Sequence, residues 1–333
     1  MNAPHDPGAT AIPSNRRTFL GGAAALALGA TTRPSLEPEA RVRAGSHTAG
    51  SRAADDNEPA RSAIQRRRIP GTGELLPCIG LGTSRTFDVD PAAENPGQHA
   101  VLERFLAWGG TLIDSSPMYK RSEAVVGALT ARLKRDDLFY ATKVWTDEGK
   151  EAGIAQMTRS EELMGTERFD LMQVHNLVGL DVHMETLKEW KAEGRIRYLG
   201  VTEMRDFKKV EDLVTSGALD FIQIPYSVTD RTVEARVLPA CIEHGVGVLV
   251  MRPFQRGRLF QATKEMDLPG WAADFGAASW AQLFLKFILG HAAMTVPIPA
   301  TSKPHHLDDN MAAGIGLALD EAARAKLVEM IGG

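Results

Sequence analysis

Four side chains whose chemistry could be combined stand at or just after the ends of short apolar runs. Asp114, Lys143 and His175 each close such a run, and Tyr119 follows Asp114 by five residues. A phenol with a pKa of about 10 is a weak acid at neutral pH. An ammonium about 4 Å away favours the tyrosinate by about 4 kcal/mol at an effective dielectric of about 20. We therefore expect Lys143 to lower the pKa of Tyr119. Asp114 would hold the ammonium charged and in place, and its own negative charge would cancel part of that lowering.

Together these residue types predict proton delivery to an oxyanion that forms as hydride reaches a carbonyl carbon. His175 would donate a hydrogen bond to the carbonyl oxygen or polarise it, and no metal is needed. Each residue alone has an ordinary structural explanation. Asp114 could cap a turn, Lys143 could be a solvated charge, and Tyr119 and His175 could pack beneath loops. The prediction depends on all four lying together.

The pattern of apolar runs predicts how the four side chains meet. From residue 66 onward, short apolar runs alternate with amphipathic stretches, which indicates parallel strands joined by crossover helices. Eight such pairs favour an α/β fold, a (β/α)8 TIM barrel, with an N-terminal β-hairpin at 67–76 and an extra C-terminal helix. The predicted strands are 79–82, 111–114, 138–143, 169–175, 196–201, 219–225, 246–251 and 295–298. The predicted helices are 97–108, 122–132, 151–164, 183–193, 206–216, 232–244, 277–289, 304–313 and 320–331.

Barrels of this kind do their chemistry at the carboxyl ends of the strands, so the four side chains are expected on one rim. A doubly wound open sheet is the structural alternative. No G-x-G-x-x-G motif follows the first predicted strand, and Gly80 and Gly82, within that strand, form only a lone short pair that is weak evidence of anything.

The first 65 residues have a different composition from the rest. Arg16 and Arg17 precede Phe19, Leu20 and a twelve-residue apolar run, 19–30, which is too short to span a bilayer. This arrangement resembles a twin-arginine export signal at 1–30. It predicts the export machinery as a transient partner and a periplasmic location, or a cytoplasmic one if the signal is not used. Residues 31–65 show no apolar period and are interpreted as a disordered linker before a domain at 66–333.

Charge and cysteine content exclude several classes of protein. Of the 333 residues, 44% are hydrophobic, enough for one large core. Residues 1–68 hold 10 basic and 6 acidic residues, whereas the remainder holds 28 and 36. This acidic remainder argues against nucleic acid as a partner. Two cysteines, Cys78 and Cys241, exclude a disulfide scaffold and a multi-cysteine metal site. We expect a monomer without a stable membrane span.

Several motifs, in order, resemble the aldo-keto reductase family over residues 66–333. They are Ile-Gly-Leu-Gly-Thr at 79–83, Asp-Ser-Ser-Pro-Met-Tyr at 114–119, Ala-Thr-Lys at 141–143, Asp-Leu-Met-Gln-Val-His-Asn at 170–176, the stretch 194–202, and Gln-Ile-Pro-Tyr at 223–226. The resemblance implies an NAD(P)H-dependent oxidoreductase that reduces a small aldehyde or ketone. It implies Tyr119 as the general acid, tuned by Lys143 and Asp114, with His175 orienting the carbonyl.

The same resemblance implies a cofactor site for NADP, with NAD as the alternative. Thr202, Glu203 and Gln223 would face the nicotinamide carboxamide, and Arg252 would reach the pyrophosphate. The chain departs from the family pattern at Glu203, where an amide is usual, and at Met251, where an aromatic ring often stacks. At the 2′-phosphate, Ala300 and His306 replace the usual basic residues. The implied cofactor-binding residues are Gly82, Thr83, Thr202, Gln223, Met251, Arg252, Pro253, Thr301, Lys303, His306 and Asn310.

Two other function classes remain open from the sequence. One is a redox-sensing regulatory subunit that binds NAD(P)H with little turnover. The other is a metal-dependent hydrolase on the same barrel, which is disfavoured because no H-x-H follows the first strand. His305 and His306 are adjacent at a helix start and poorly placed to chelate one ion, so no metal site is predicted.

Overall fold

The protein was analysed as a computed structural model that describes residues 64–133 and 137–332. The predicted export segment 1–30 and nearly all of the predicted linker 31–65 lie outside the described residues. The chain enters through an antiparallel hairpin of strands β1 (Arg66–Arg68) and β2 (Leu75–Pro77). Eight parallel strands follow: β3 (Leu81–Gly82), β4 (Leu112–Asp114), β5 (Phe139–Val144), β6 (Phe169–Val174), β7 (Ile196–Thr202), β8 (Phe221–Pro225), β9 (Gly247–Met251) and β10 (Val296–Pro297).

The eight strands pair strictly in chain order from β3 to β10, and their two edges meet. The amide of Gly80 donates to the carbonyl oxygen of Pro297 at 3.0 Å, and the amide of Gly82 donates to that of Pro299 at 3.1 Å. A parallel bridge joins Gly82 to Ala300. These bonds close the sheet into a cylinder, so the predicted (β/α)8 barrel with its N-terminal hairpin is confirmed.

Helices surround the cylinder close to where they were predicted, with two differences. They are α1 (Pro96–Ala107), α2 (Ser122–Thr130), α3 (Lys150–Met164), α4 (Leu180–Ala192), α5 (Phe207–Thr215), α6 (Val237–His244), α7 (Arg258–Ala262), α8 (Trp280–Leu289), α9 (Pro304–Ala312) and α10 (Glu321–Gly332). The single predicted helix 232–244 is wrong: a 3-10 turn at Thr232–Ala235 precedes α6. Pro239 explains the break, because it has no N–H to offer residue 235 and is tolerated only in a first turn. The short helix α7 was not predicted.

Side-chain alternation along the strands gives the barrel an apolar interior with a polar top. Leu112, Phe139, Leu171, Phe221 and Leu249 fill the cylinder, and Ile69 and Leu76 of the hairpin pack against them from below. Successive strand residues point to opposite faces, so the residue two positions later also points inward. In three strands that residue is polar and buried: Asp114, Gln173 and Gln223. In β5 the small interior residue Ala141 follows Phe139, and the buried Lys143 comes two positions after Ala141. A second apolar cluster fills the space between the strands and the helices.

The closing seam of the barrel depends on a residue without a side chain at position 82. A Cβ on Gly82 would lie 2.6 Å from the backbone oxygen of Ile298, whereas a Cβ on Gly270 would meet nothing within 4 Å. We predict that Gly82→Ala lowers the free energy of unfolding by about 1–3 kcal/mol, because the strands must separate to admit the methyl group. Urea unfolding measures this, with Gly270→Ala as the matched control. Equal midpoints for the two variants would contradict the account of the seam.

Candidate active site

A buried ion pair forms the centre of the polar top. The Lys143 ammonium donates to both carboxylate oxygens of Asp114, at 2.7 and 2.9 Å, and to the carbonyl oxygen of Ser115 at 2.6 Å. Both side chains are almost completely buried. Burial is the largest single effect on the pKa of Lys143 and lowers it, but the charge and hydrogen bond of Asp114, with the charges of Tyr119 and Glu123, together hold that pKa above its ordinary value. Lys143 therefore carries its charge throughout the neutral range.

Two glutamines complete the hydrogen bonding of Asp114. Gln173 Nε2 donates to Oδ2 at 3.4 Å, and Gln223 Nε2 donates to Oδ1 at 3.3 Å. The Oε1 atoms of both amides are buried without a hydrogen-bond partner in the described structure. Gln223 was predicted to face a cofactor amide, whereas Gln173 was missed. Strand alternation would have found it, since it stands two residues before His175 and two after the interior residue Leu171.

Tyr119 lies at the end of a 3-10 turn, Pro117–Tyr119, whose first residue follows the capping serine Ser116. Its ring centroid is 5.2 Å from Lys143 Nζ and 5.9 Å from the centroid of the His175 ring, which it meets edge-on. The structure thus brings Asp114, Tyr119, Lys143 and His175 together on one rim.

The expected lowering of the pKa of Tyr119 is wrong for the protein as described. Burial raises the pKa of this phenol above its ordinary value; Lys143 opposes the rise, and Asp114 adds to it. The charges of Lys143 and Asp114 act in opposite directions, and desolvation is the largest effect, because ionising this phenol would place a negative charge where protein atoms exclude much of the water. Tyr119 is therefore protonated at neutral pH, the form that can donate.

His175 follows the last residue of β6 and begins a 3-10 turn, His175–Leu177. The observed strand therefore ends at Val174, one residue before the end of the predicted strand 169–175. Burial, reinforced by the charge of Lys143, lowers the pKa of His175 to about 3. The ring lies 6.4 Å from that of Trp145, and its Nδ1 is 2.9 Å from Ser116 Oγ. At neutral pH this imidazole is uncharged.

The residues predicted to meet a nicotinamide lie around the same rim, with their hydroxyls already engaged. Thr83 Oγ1 donates to the carbonyl oxygen of Asp114 at 2.9 Å, and Thr202 Oγ1 accepts from the amide of Asn176 at 3.0 Å. The Glu203 carboxylate turns to the backbone instead, accepting from the amides of residues 204, 205 and 206. This explains how a carboxylate is accommodated at a position where the family usually has an amide.

The loop after β9 brings cationic side chains to the rim. Half-buried Met251 packs on the barrel interior, Pro253 is buried, and Arg252 is held at a φ of +54°. Burial lowers the pKa of Arg252; the nearby charges of Arg256 and Arg85 lower it further, and Tyr119 opposes them. Within residues 64–133 and 137–332 none of these three arginines forms a salt bridge. The rim beside Tyr119 thus holds three arginines without an ion pair in the described structure, and the charge of Asp230 opposes the lowering of the Arg252 pKa from beyond ion-pair distance.

The start of α9 presents one backbone amide, that of His305, without an acceptor among the described residues, because Pro304 has no N–H and the His306 amide donates to the carbonyl oxygen of Lys303 at 3.1 Å. Its preceding residue, Lys303, makes no side-chain cap, and the Lys303 amide donates to Thr301 Oγ1 at 3.0 Å. His306 lies on the first turn, where burial and then the neighbouring His305 and Lys303 lower its pKa. Asn310 is buried one turn further on. An uncapped helix start with a nearby lysine is suited to an anionic group.

Two negative findings apply to the described residues. They contain no group of three or more His, Cys, Asp or Glu side chains arranged to hold a metal ion. No helix in this part of the chain is long and apolar enough to cross a membrane.

The described residues form a closed (β/α)8 barrel with tyrosine, lysine, aspartate and histidine grouped at the carboxyl ends of its strands, which is where barrel enzymes hold their active sites. The sequence profile described as "Aldo/keto reductase family" matches residues 78–330, and the chain belongs to that family.

Two relatives indicate how far this likeness extends. The chain is 28% identical over 191 residues to the NADH-specific methylglyoxal reductase of Escherichia coli (strain K12), a match that covers 49% of this chain and 58% of that protein. It thus spans little more than half the length of that relative. It is 25% identical over 261 residues to the uncharacterized oxidoreductase YtbE of Bacillus subtilis (strain 168), covering 74% of this chain and 86% of that one.

Solved structures show the same fold. An aldo/keto reductase from Klebsiella pneumoniae in complex with NADP and acetate is similar with a TM-score of 0.68 and 27% identity, covering 80% of this chain and 96% of that one. A second structure from the same organism, in complex with NADPH, gives a TM-score of 0.68 and 25% identity over 80% of this chain and 95% of that one.

Acid is expected to destabilise the protein through His175. The folded pKa is about 3, whereas the unfolded imidazole has its ordinary value of 6.5. Between these values the unfolded chain takes up a proton that the folded state refuses, so stability falls as the pH falls, by up to about 1.4 kcal/mol per unit. Urea unfolding at pH 7, 6 and 5 measures this. His175→Gln should lose less stability than the wild type over that range; parallel losses would refute the assignment.

Proposed function

We propose that the protein is an NADP(H)-dependent reductase of small aldehydes or ketones, with Tyr119 as the proton donor. The observation that carries the proposal is the grouping on one rim of a protonated phenol, a charged lysine 5.2 Å from its ring centre, and a neutral imidazole 5.9 Å from it. A carbonyl oxygen placed between phenol and imidazole would meet two neutral hydrogen-bond donors backed by one fixed positive charge.

The residues present fit a nicotinamide dinucleotide. Gln223 Oε1 is a buried acceptor without a partner in the described structure, and the amide N–H of a carboxamide would satisfy it. Arg252, with Arg85 and Arg256, supplies positive charge for a pyrophosphate. Thr301, Lys303, His306 and Asn310, at the start of α9, would receive the adenosine phosphate. When bound, the cofactor supplies the hydride. The Klebsiella structures in complex with NADP and NADPH favour the phosphorylated form.

In the proposed reaction, the carbonyl carbon gains a hydride and the carbonyl oxygen gains the proton of the Tyr119 hydroxyl. The C=O double bond becomes a single bond, the product is an alcohol, and Tyr119 is left as tyrosinate until water returns a proton. His175 holds the oxygen by a hydrogen bond and does not change its charge. The two electrons of the reduction arrive with the hydride from the reduced cofactor, and the proton comes from Tyr119, which water then reprotonates.

Lys143 makes the tyrosinate attainable. Its ammonium is fixed by three acceptors, so it needs no rearrangement when negative charge forms on the phenol. Asp114 keeps the ammonium charged, and Gln173 and Gln223 in turn bind Asp114. Leaving either charge of a buried pair alone costs about 3–5 kcal/mol, so Lys143 and Asp114 are expected to act as one unit.

Tyr119→Phe tests the role of the acid directly. The variant removes one hydroxyl from a half-buried ring, so the fold and NADPH binding should be retained, whereas the turnover of an aldehyde should fall by about 10²–10⁴-fold. Steady-state oxidation of NADPH at 340 nm gives the rate, and quenching of protein fluorescence gives the Kd for NADPH. Turnover within about twofold of the wild type would show that Tyr119 is not the donor.

A second variant separates loss of chemistry from loss of the cofactor. Arg252→Gln removes a charge proposed to meet the pyrophosphate, and it should raise the Kd for NADPH by about tenfold or more. Tyr119→Phe should leave this Kd unchanged. Opposite behaviour of the two variants would reverse the assigned roles.

We further propose that the chain is exported to the periplasm by a twin-arginine route. Arg16 and Arg17, followed by a weakly apolar run, support this proposal. Such a route carries folded chains, so the cofactor could be loaded before crossing. The full chain fused to a fluorescent reporter should be found in the periplasmic fraction, and Arg16→Lys with Arg17→Lys should keep it in the cytoplasm. An identical distribution of both fusions would overturn the proposal.

A further inference from the structure

One hydroxyl contacts the Nδ1 atom of His175. Ser116 is completely buried, and its Oγ lies 2.9 Å from His175 Nδ1. The same Oγ accepts the backbone N–H of Met118 at 3.2 Å, as the cap of the 3-10 turn that carries Tyr119. A neutral imidazole nitrogen can either donate or accept, so distance alone does not set the direction of the Ser116–His175 bond.

The hydroxyl proton of Ser116 sets that direction. A serine Oγ carries one proton and two lone pairs, and the Met118 amide already occupies one lone pair. If Nδ1 also donated to it, the hydroxyl proton would be buried without an acceptor, since Ser116 Oγ makes only these two contacts in the described part of the chain. An unmade hydrogen bond on a buried group costs about 1–3 kcal/mol. Ser116 therefore donates, and Nδ1 accepts.

We infer that Ser116 is a positioning residue, which holds His175 as the neutral tautomer with its proton on Nε2, aimed at the carbonyl oxygen of the substrate. The inference deepens the proposed function and rests on it for the role of Nε2. Nε2 hydrogen-bonds to none of the described residues, yet it is not among the buried polar atoms that lack a partner. It therefore retains some solvent-accessible surface, while the other ring nitrogen, Nδ1, contacts Ser116.

The consequence for the reaction follows from the geometry of imidazole. With its proton on Nε2 the ring donates to a carbonyl oxygen, and with its proton on Nδ1 it presents a lone pair that repels that oxygen. Among the described residues Ser115 does not replace this donor, because it makes no hydrogen bond to His175; its Oγ accepts from Thr83 Oγ1 at 3.0 Å. Losing the Ser116 hydroxyl should therefore leave both tautomers populated.

The tautomer can be observed without any assay of activity. The full-length protein is labelled with ¹⁵N-histidine, and His175 is assigned by the signals that disappear in His175→Gln. At pH 7 we expect an unprotonated, pyridine-like shift for Nδ1 and a protonated, pyrrole-like shift for Nε2. The reverse pattern, or two protonated nitrogens, would overturn the inference. This measurement on the wild type holds even if a Ser116 variant does not fold.

Kinetics then test whether the tautomer matters for turnover. Ser116→Ala should lower kcat for an aldehyde by about tenfold, the rate equivalent of one hydrogen bond, with the Kd for NADPH unchanged. Ser116→Thr retains a hydroxyl and should recover much of the loss. Ser160→Ala is the matched control, since it removes an equally buried hydroxyl from α3, away from the rim.

The outcomes separate this inference from the proposed function. A wild-type kcat in Ser116→Ala would overturn the positioning role. Loss of activity in Ser116→Thr equal to that in Ser116→Ala, with both variants folded, would also count against it. If the wild-type protein reduces no aldehyde with NADPH while the nitrogen shifts are as expected, the proposed function fails and the tautomer assignment stands.

Discussion

The contact between Lys143 and Asp114 is the interaction on which the rim depends. Each charge would be costly alone in a barrel whose interior is otherwise apolar, and each is satisfied because the other is present. The pair lies one side chain above Leu112 and Ala141, so its height in the cylinder is fixed by the packing beneath it. The groups that contact the pair are two glutamine amides, the Ser115 carbonyl oxygen and the Tyr119 ring, and their positions depend on the charges of the pair remaining in place.

Much of this arrangement was predictable because it follows from the period of two along strands. The strand positions, their order and the meeting of Asp114, Lys143 and His175 at one rim follow from apolar runs and the geometry of parallel barrels. Tyr119 joined them through its short spacing from Asp114. The break in the predicted helix 232–244 was also legible, since Pro239 stands in its middle.

Properties that depend on residues distant in the chain could not be predicted from the sequence. The direction of the pKa of Tyr119 was wrong because it depends on how much water the folded rim excludes, and no local pattern contains that quantity. Ser116 went unnoticed because its partner, His175, is 59 residues away. Glu203 resembled a defect in a cofactor site, yet in three dimensions its carboxylate serves as an acceptor for the chain that follows it.

Strain in the described backbone is concentrated where the chemistry is proposed. Lys120, Asn176, Arg252 and Arg256 all hold a positive φ without being glycine, and each lies in a loop after a barrel strand. Such conformations cost free energy and persist only where the surroundings impose them. The strands and helices of the barrel supply those surroundings, and the strained loops carry the side chains on which the proposed function depends.

The hairpin at the base of the barrel affects the routes by which water and protons reach the rim. Ile69 and Leu76 pack against the base of the cylinder, and buried apolar side chains fill its interior between them and the ion pair. Under the proposed reaction, the proton given up by Tyr119 is therefore replaced from the rim, on the side from which the alcohol leaves. Reprotonation of the phenol and release of the product would then both take place at the rim, because the base of the barrel is closed by the hairpin.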